Sequence, residues 1–207
     1  MKKNLQKQKA SSIFFFLIAE KEEQHDKNLL PSNPEYQQLI NQIANKFPIG
    51  VHPSYHASSI KQMLQNEKDV LSKISNHPIE NNRFHFLKFK LPNSYNYLIE
   101  SNILKDYSMA YANKIGFRAS TCNGFYFYNL AENKATLLEV FSPCVMDVTL
   151  KKFEAFTPNK ATEAIQKIKQ TVKKVNGNFI SIWHNSNLTE TAEWKDWKTV
   201  WLKMLEK

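Results

Sequence analysis

The sequence predicts a mixed α/β protein built on a mostly parallel sheet, and three observations predict it. Short apolar runs alternate with amphipathic stretches of helical period along the whole of the 207 residues. The first of those runs, Ile13-Phe14-Phe15-Phe16-Leu17-Ile18, is continuous rather than alternating, which suits a strand covered on both faces. With only four glycines, the chain lacks the tight turns that an all-β sandwich needs. A chain of this length with 42% hydrophobic residues buries one sizeable core, so a single domain over 1–207 is expected.

After the Ile13–Ile18 strand, Asn33 is placed to cap a helix that Pro34 opens, with Tyr36, Leu39, Ile40, Ile43 and Phe47 on its apolar face. The chain returns as a strand through Pro48-Ile49-Gly50-Val51-His52. A second helix runs from Ser58, with Ile60, Met63, Leu64, Val70, Leu71 and Ile74 inward, to the Asn76-His77-Pro78 breaker. Phe84 to Lys90 alternates aromatic and polar residues and predicts a strand; Pro92 opens a short helix with Tyr95, Leu98 and Ile99 inward; Tyr107 to Tyr111 predicts a further strand. Phe125 to Leu130 and Thr136 to Phe141 form a hairpin or two adjacent strands. Pro158 starts a helix closed by Gly177 as a left-handed cap, Phe179 to Trp183 is the last strand, and a final helix carries Trp194, Trp197, Val200, Trp201 and Leu205.

A formal charge of +9 raises the question of nucleic acid. The positive charge is almost all lysine, Arg83 and Arg118 being the two arginines, so the guanidinium fork that clamps phosphates and reads bases is scarce. The charge reads as a solvated lysine surface, with Lys167, Lys169, Lys173 and Lys174 on the outside of the long helix, and neither a nucleic-acid partner nor a membrane partner is expected. Cys122 and Cys144 lack metal-ribbon spacing and are read as buried thiols. The run after the lysine-rich start is too short to span a bilayer and is followed by Glu20-Lys21-Glu22-Glu23, so a cytoplasmic chain is expected.

A parallel sheet with crossover helices places chemistry at the carboxyl ends of its strands. Those positions carry His52, Arg83 with His85, Asp106, Arg118, Asp147 and His184. Any one histidine on an apolar stretch is more often a hydrogen-bonded core residue, but several polar residues at successive strand ends point to a site. His52 and His56 have the His-x-x-x-His spacing of a divalent metal pair, here at a strand exit because Pro53 excludes a regular helix. Asp26 is the nearest acidic candidate for a third ligand, or an ordinary loop cap. His184 with Asn185, after Trp183, has the character of a proton donor at a strand end, or of a capping histidine. Arg83 and Arg118 are candidates to hold carboxylates within a site, or surface ion pairs of little weight.

Taken in order, Ile13-Phe14-Phe15-Phe16-Leu17, Asp26-Lys27-Asn28, Gly50-Val51-His52-Pro53-Ser54-Tyr55, Arg83-Phe84-His85-Phe86-Leu87, Leu91-Pro92-Asn93-Ser94-Tyr95, Asp106-Tyr107-Ser108-Met109, Gly116-Phe117-Arg118-Ala119-Ser120, Met146-Asp147 and Ile182-Trp183-His184-Asn185 resemble the polysaccharide deacetylase-like proteins, relatives of the chitooligosaccharide deacetylases of carbohydrate esterase family four. The resemblance implies a partial or distorted (β/α) barrel with parallel strands and a β-hairpin insertion. It implies hydrolysis of an acetyl group on a carbohydrate by a water bound to a divalent metal, usually zinc, held by an aspartate and two histidines. His52 then corresponds to the first histidine ligand, His56 to the second and His184 to the late acid. With Arg83, Arg118 and Asp147 completing the catalytic set, Tyr55, His85, Trp183 and Asn185 are expected to contact substrate.

The family's Thr-Phe-Asp-Asp-Gly motif belongs to a strand upstream of Ile13, so the first β/α unit, with its base and its metal-binding aspartate, is expected to be missing. The arginine-proline-tyrosine motif appears loosely, as Lys90-Leu91-Pro92 and Tyr95. Two functions stand open: a deacetylase-type hydrolase, and a non-catalytic carbohydrate-binding or scaffold protein in which Tyr55, Phe127 and Tyr128 stack on sugar rings. An open barrel edge invites a homodimer.

Overall fold

The computed structural model of the protein describes residues 11–189 and 191–206. The lysine-rich lead of the sequence lies outside the described residues. The described chain divides into two compact units that interleave in sequence: a sheet unit of Ser12–Ser108 with Phe125–Phe141, and a C-terminal unit of Met109–Gly124 with the residues from Ser142 onward.

In the sheet unit, six strands lie in the order β1 (Phe14–Leu17), β2 (Ile49–His52), β3 (Asn81–Asn82), β4 (Lys105–Asp106), β6 (Lys134–Val140) and β5 (Phe125–Asn129). All neighbours are parallel except β5, which returns antiparallel to β6 as the predicted hairpin, with an irregularity between Tyr126 and Tyr128. Helices α1 (Pro34–Ala44), α2 (Lys61–Ser75) and α3 (Asn93–Glu100) fill the first three connections. From β1 to β4 the strand order follows chain order with a helix at each step, the winding of a (β/α) barrel wall. Among the described residues the wall stays open, with β1 and β5 at its two edges.

Local chemistry explains these elements. Asn33 accepts the Tyr36 amide at 2.9 Å and Pro34 occupies the first turn, where its missing N–H costs nothing. Asn76 ends α2 in the left-handed conformation. Ile18, Ile40, Val51, Leu64, Leu71, Phe84 and Leu98 are fully buried and make the core of this unit. Gly50 is required by close approach, because a Cβ there would lie 2.6 Å from the Phe15 ring and 2.7 Å from the Asn81 carbonyl. Gly50→Ala is therefore expected to destabilise the protein by about 2 kcal/mol in urea unfolding, since the backbone oxygen is unable to move aside.

The C-terminal unit pairs β7 (Val145–Met146) in parallel with β8 (Ser181–Ile182). Helix α4 (Pro158–Lys174), capped by Thr157, packs on α5 (Trp197–Leu205). Ala161, Ile165, Val172, Trp197, Val200 and Trp201 are buried in these helices. Lys169, expected on the outer face, donates to the Met204 carbonyl at 2.8 Å and closes the end of α5, while Lys167, Lys173 and Lys174 are exposed.

Several expectations need correction. Leu39 and Ile60 are 47% and 46% exposed, so the apolar faces of α1 and α2 are narrower than their periodicity suggested. Phe84–Lys90 is not a strand: after β3 the chain turns through His85–Leu87, where Phe86 and Leu87 adopt φ of 56° and 52°. Its alternation records a turn that buries Phe84 and leaves Phe86 exposed. The strand expected over Tyr107–Tyr111 instead ends at Asp106, and Ala110 makes an isolated bridge with Phe117. Asn176, not Gly177, takes the left-handed conformation after α4, with φ 50°. Gly177 is needed for space, as a Cβ there would meet the Cys122 sulfur at 2.1 Å.

Candidate functional site

In the sheet unit, buried carboxylates organise the loops that follow β1, β2 and β3. Asp26, 3% exposed, accepts the Tyr55 amide on both oxygens at 3.0 Å and lies 2.8 Å from His85 Nδ1. A carboxylate acceptor there places the imidazole proton on Nδ1. His52 makes a short hydrogen bond from Nδ1 to the Arg83 carbonyl, and its ring meets that of His85 edge-on at 4.8 Å. The Arg83 guanidinium lies over the Phe15 ring at 4.8 Å. Asp26 therefore holds the loop after β2 and orients the His85 imidazole.

Glu67 clamps the neighbouring amide. It accepts Ser54 N–H at 2.7 Å and bonds the Ser54 hydroxyl, so two consecutive amides, Ser54 and Tyr55, are held by carboxylates from two different elements. Burial pushes the Glu67 carboxyl up to about 7, against the Ser54 hydrogen bonds and assisted by the charges of Asp26 and Glu20. Because the folded value exceeds the unfolded one of 4.5, Glu67 stabilises the fold fully below that value and the contribution is lost as pH rises through about 7. Glu67→Gln keeps an acceptor for Ser54 N–H and a donor for its hydroxyl. The wild type is expected to lose roughly 2–3 kcal/mol relative to this variant between pH 5 and 8, read by urea unfolding at each pH.

A third carboxylate sits deeper. Asp106 is fully buried and receives four hydrogen bonds, from Asn82 Nδ2 at 2.7 Å, Tyr95 Oη at 3.0 Å, and Ser108 N and Oγ at 3.0 and 2.7 Å. Burial raises its pKa against those hydrogen bonds. The Phe84 amide donates to Ser108 Oγ at 2.8 Å, so this network fixes the start of the turn carrying His85.

The C-terminal unit holds a second carboxylate–imidazole pair. Asp147, 0% exposed, follows β7 and faces His184 after β8, the two strands being in register at Val145↔Ser181 and Met146↔Ile182. Asp147 Oδ1 lies 2.8 Å from His184 Nδ1, and Oδ2 accepts the His184 amide at 2.8 Å. Oδ1 also accepts the Val148 amide at 2.7 Å, and Oδ2 the Asn187 side-chain amide at 3.0 Å. His184 keeps 38% of its side chain accessible. A fully buried carboxylate that fixes Nδ1–H of a solvent-reaching imidazole leaves Nε2 as the nitrogen that exchanges protons.

The structure thus brings Asp147 to His184 in the C-terminal unit, and His52 to His85 with Tyr55 and Arg83 close by in the sheet unit. His56 is exposed in the turn after β2, its ring edge-on to Tyr55 at 5.2 Å. Among the described residues no group of three or more His, Cys, Asp or Glu is placed to hold a metal ion. A catalytic zinc takes three protein ligands, so the residues present do not fit that ion. Tyr55 already carries the Lys88 ammonium at 3.7 Å and the His25 ring at 4.2 Å, which leaves it poorly suited to stack on sugar. Phe127 meets Tyr95 edge-on at 5.1 Å, while Tyr128 is 46% exposed. Trp183 donates to the Met204 sulfur at 3.2 Å, Asn185 is exposed, and Arg118 is exposed beyond the Ala110–Phe117 bridge. Clefts of about 360 Å³ beside the start of α4 and about 430 Å³ below β2 and β3 contain none of these residues.

Sequence reasoning missed Glu67 and Asn187. Glu67 had a signal, since it falls between Leu64 and Leu71 on the buried stripe of α2, where a carboxyl needs a partner. Asn187 had none beyond lying three residues after His184.

No protein-family model matches this chain, and no curated protein matches it. What the fold defines is a class, a mixed α/β protein with a sequentially wound, mostly parallel sheet of the polysaccharide deacetylase type. Among solved structures it is similar to a crystal structure described as a "putative polysaccharide deacetylase" from Mycobacterium smegmatis, at a TM-score of 0.64 and 11% identity, over 98% of this chain and 67% of that one. The likeness is one of fold. No helix among the described residues is long and apolar enough to cross a membrane.

Proposed function

We propose that this chain is a hydrolase acting on acetyl groups carried by a carbohydrate, with His184 as proton donor and Asp147 as the group that orients it. The observation that carries the reading is the 2.8 Å contact between His184 Nδ1 and a wholly buried carboxylate, on a fold shared with a polysaccharide deacetylase candidate. In this reading water adds to the acetyl carbonyl and gives up a proton to solvent, the bond from carbonyl carbon to sugar nitrogen or oxygen breaks, and His184 Nε2 delivers a proton to the departing atom, releasing acetate, and is reprotonated from solvent. Asp147 fixes the orientation of the imidazole that delivers this proton. No step is routed through a metal.

The test is acetate release from N-acetylated and O-acetylated oligosaccharides, with and without added zinc, by the wild type and His184→Ala. Release that disappears in the variant supports the reading. A folded wild type that frees no acetate from either class under any of these conditions overturns it. The non-catalytic alternative is favoured by Tyr126, Tyr128 and Leu137, which are 64%, 46% and 78% exposed on the β5–β6 hairpin. It requires glycan binding that survives His184→Ala and fails in the Tyr126→Ala, Tyr128→Ala double variant. A homodimer through the free edge of β1 or β5 belongs to the same proposal, and light scattering decides it.

A further inference from the structure

We propose that Asn187 is a positioning residue for the Asp147–His184 pair, setting the orientation of the carboxylate through which His184 acts. The inference rests on reading His184 as the proton donor, and it concerns a residue outside the resemblance that led to that reading.

Asn187 is 9% exposed and lies in a single 3-10 turn, Asn185–Leu188, that begins directly after His184. The Asn187 amide donates to the His184 carbonyl at 3.0 Å, which folds its side chain back toward the carboxylate. Nδ2 then donates to Asp147 Oδ2 at 3.0 Å, and Oδ1 lies 3.2 Å from the Ser186 hydroxyl. A carboxylate only accepts, so the edge of the amide facing Asp147 must be its N–H. Asp147 Oδ2 thus carries two donors, the His184 amide and Asn187, while Oδ1 carries the Val148 amide and His184 Nδ1.

The two backbone donors hold the carboxylate near the strand ends, but Asn187 is its one side-chain donor besides the imidazole among the described contacts. Without it, Oδ2 is left with a single partner in a fully buried site. The carboxylate is then held less firmly against rotation about its Cβ–Cγ bond, and its alignment with Nδ1 loosens. A hydrogen bond to a charged group is strong enough for that loss to be felt at the imidazole. The arrangement follows the general logic by which an outer partner fixes the group that fixes a histidine.

The experiment compares wild type, Asn187→Ala and Asn187→Asp, the last having the same shape but no N–H. Two readouts are taken: the His184 Nδ1–H proton resonance in water, and kcat and KM for acetate release. The wild type is expected to show a downfield, exchange-protected Nδ1–H signal. That signal broadens or disappears in both variants, while kcat falls roughly tenfold or more at little changed KM. Asn187→Asp is expected to be the more impaired, because it sets a second carboxylate against Asp147. Should the resonance persist in both variants, with kcat within about twofold of wild type and only thermal stability reduced, Asn187 merely closes a turn and the proposal fails. If the wild type frees no acetate, the hydrolase reading falls, and the resonance alone still decides the role of Asn187.

Discussion

Asp106→Ala is expected to lower the unfolding free energy by about 4 kcal/mol. The substitution strands four donors in a region without water access: Asn82 Nδ2, Tyr95 Oη, Ser108 N and Ser108 Oγ. Each unsatisfied buried donor costs roughly 1–3 kcal/mol. Relief from burying a carboxylate works in the other direction, since burial is what raises the Asp106 pKa, but with four donors lost the penalty outweighs it. Urea unfolding at constant pH gives the number, and a change within about 1 kcal/mol would show that the network is dispensable. Asp106→Asn keeps one acceptor and presents an N–H, which Asn82 Oδ1, buried with no hydrogen-bond partner, can accept once the Asn82 amide turns over. That variant should lose less. Because the folded pKa of Asp106 is raised, the stability this group contributes is complete below its unfolded value and declines as pH climbs through the folded one, whereas Asp106→Asn has no such slope.

The effect should spread beyond stability, because Asp106 holds Ser108 and Ser108 holds the Phe84 amide at the start of the His85 turn. Phe86 and Leu87 sit in a conformation that side chains other than glycine adopt at a cost, and such strain persists where surrounding contacts over-determine it. His85 to Asp26, Phe84 to Ser108 and the packing of Phe86 against His25 and Tyr55 are those contacts. Loosening Ser108 removes one of them.

The parts of this molecule that could be read in advance are those governed by short-range rules. Continuous apolar runs located β1 and β2, Asn33-Pro34 and Pro158 located the starts of α1 and α4, and the hairpin followed from its two runs and the loop between them. The segments misread are those where a side chain from elsewhere decides the backbone. Nothing local in Phe84–Lys90 shows that Ser108 will take the Phe84 amide and turn the chain out of the sheet. In the sequence Gly177 has the place of a helix cap, because the Cys122 sulfur beside it is remote along the chain.

The site divides along the same line. Asp147 and His184 were legible as polar residues ending apolar strands, and parallel pairing of β7 with β8 brings them together. The His52–His56 spacing looked like a metal pair because spacing is blind to direction: Pro53 sends the chain into a turn, His56 comes to the surface, and His52 finds His85 instead. Carboxylates that serve backbone amides, Asp26 and Glu67, escape notice because the amides they serve carry no signature in a sequence.

On the proposed hydrolase reading, Asp147→Asn should cut the rate of acetate release by about a thousandfold while leaving KM nearly unchanged. The carboxylate accepts four N–H groups, two on each oxygen, and has no donor of its own. An amide in its place must turn its NH2 toward one of those two pairs. If it faces the Val148 amide and His184 Nδ1, the imidazole proton moves to Nε2, the nitrogen that has to give a proton up and take it back. If it faces the His184 amide and Asn187, the conflict displaces the turn that follows β8. In the first case the Val148 amide loses its acceptor and the tautomer is wrong, a fault known to cost about 10⁴ in rate where an imidazole depends on a carboxylate. In the second the imidazole is misplaced. Nitrogen NMR of His184 separates the two, and a variant that keeps both the Nδ1–H tautomer and full turnover would show that the proton comes from another group.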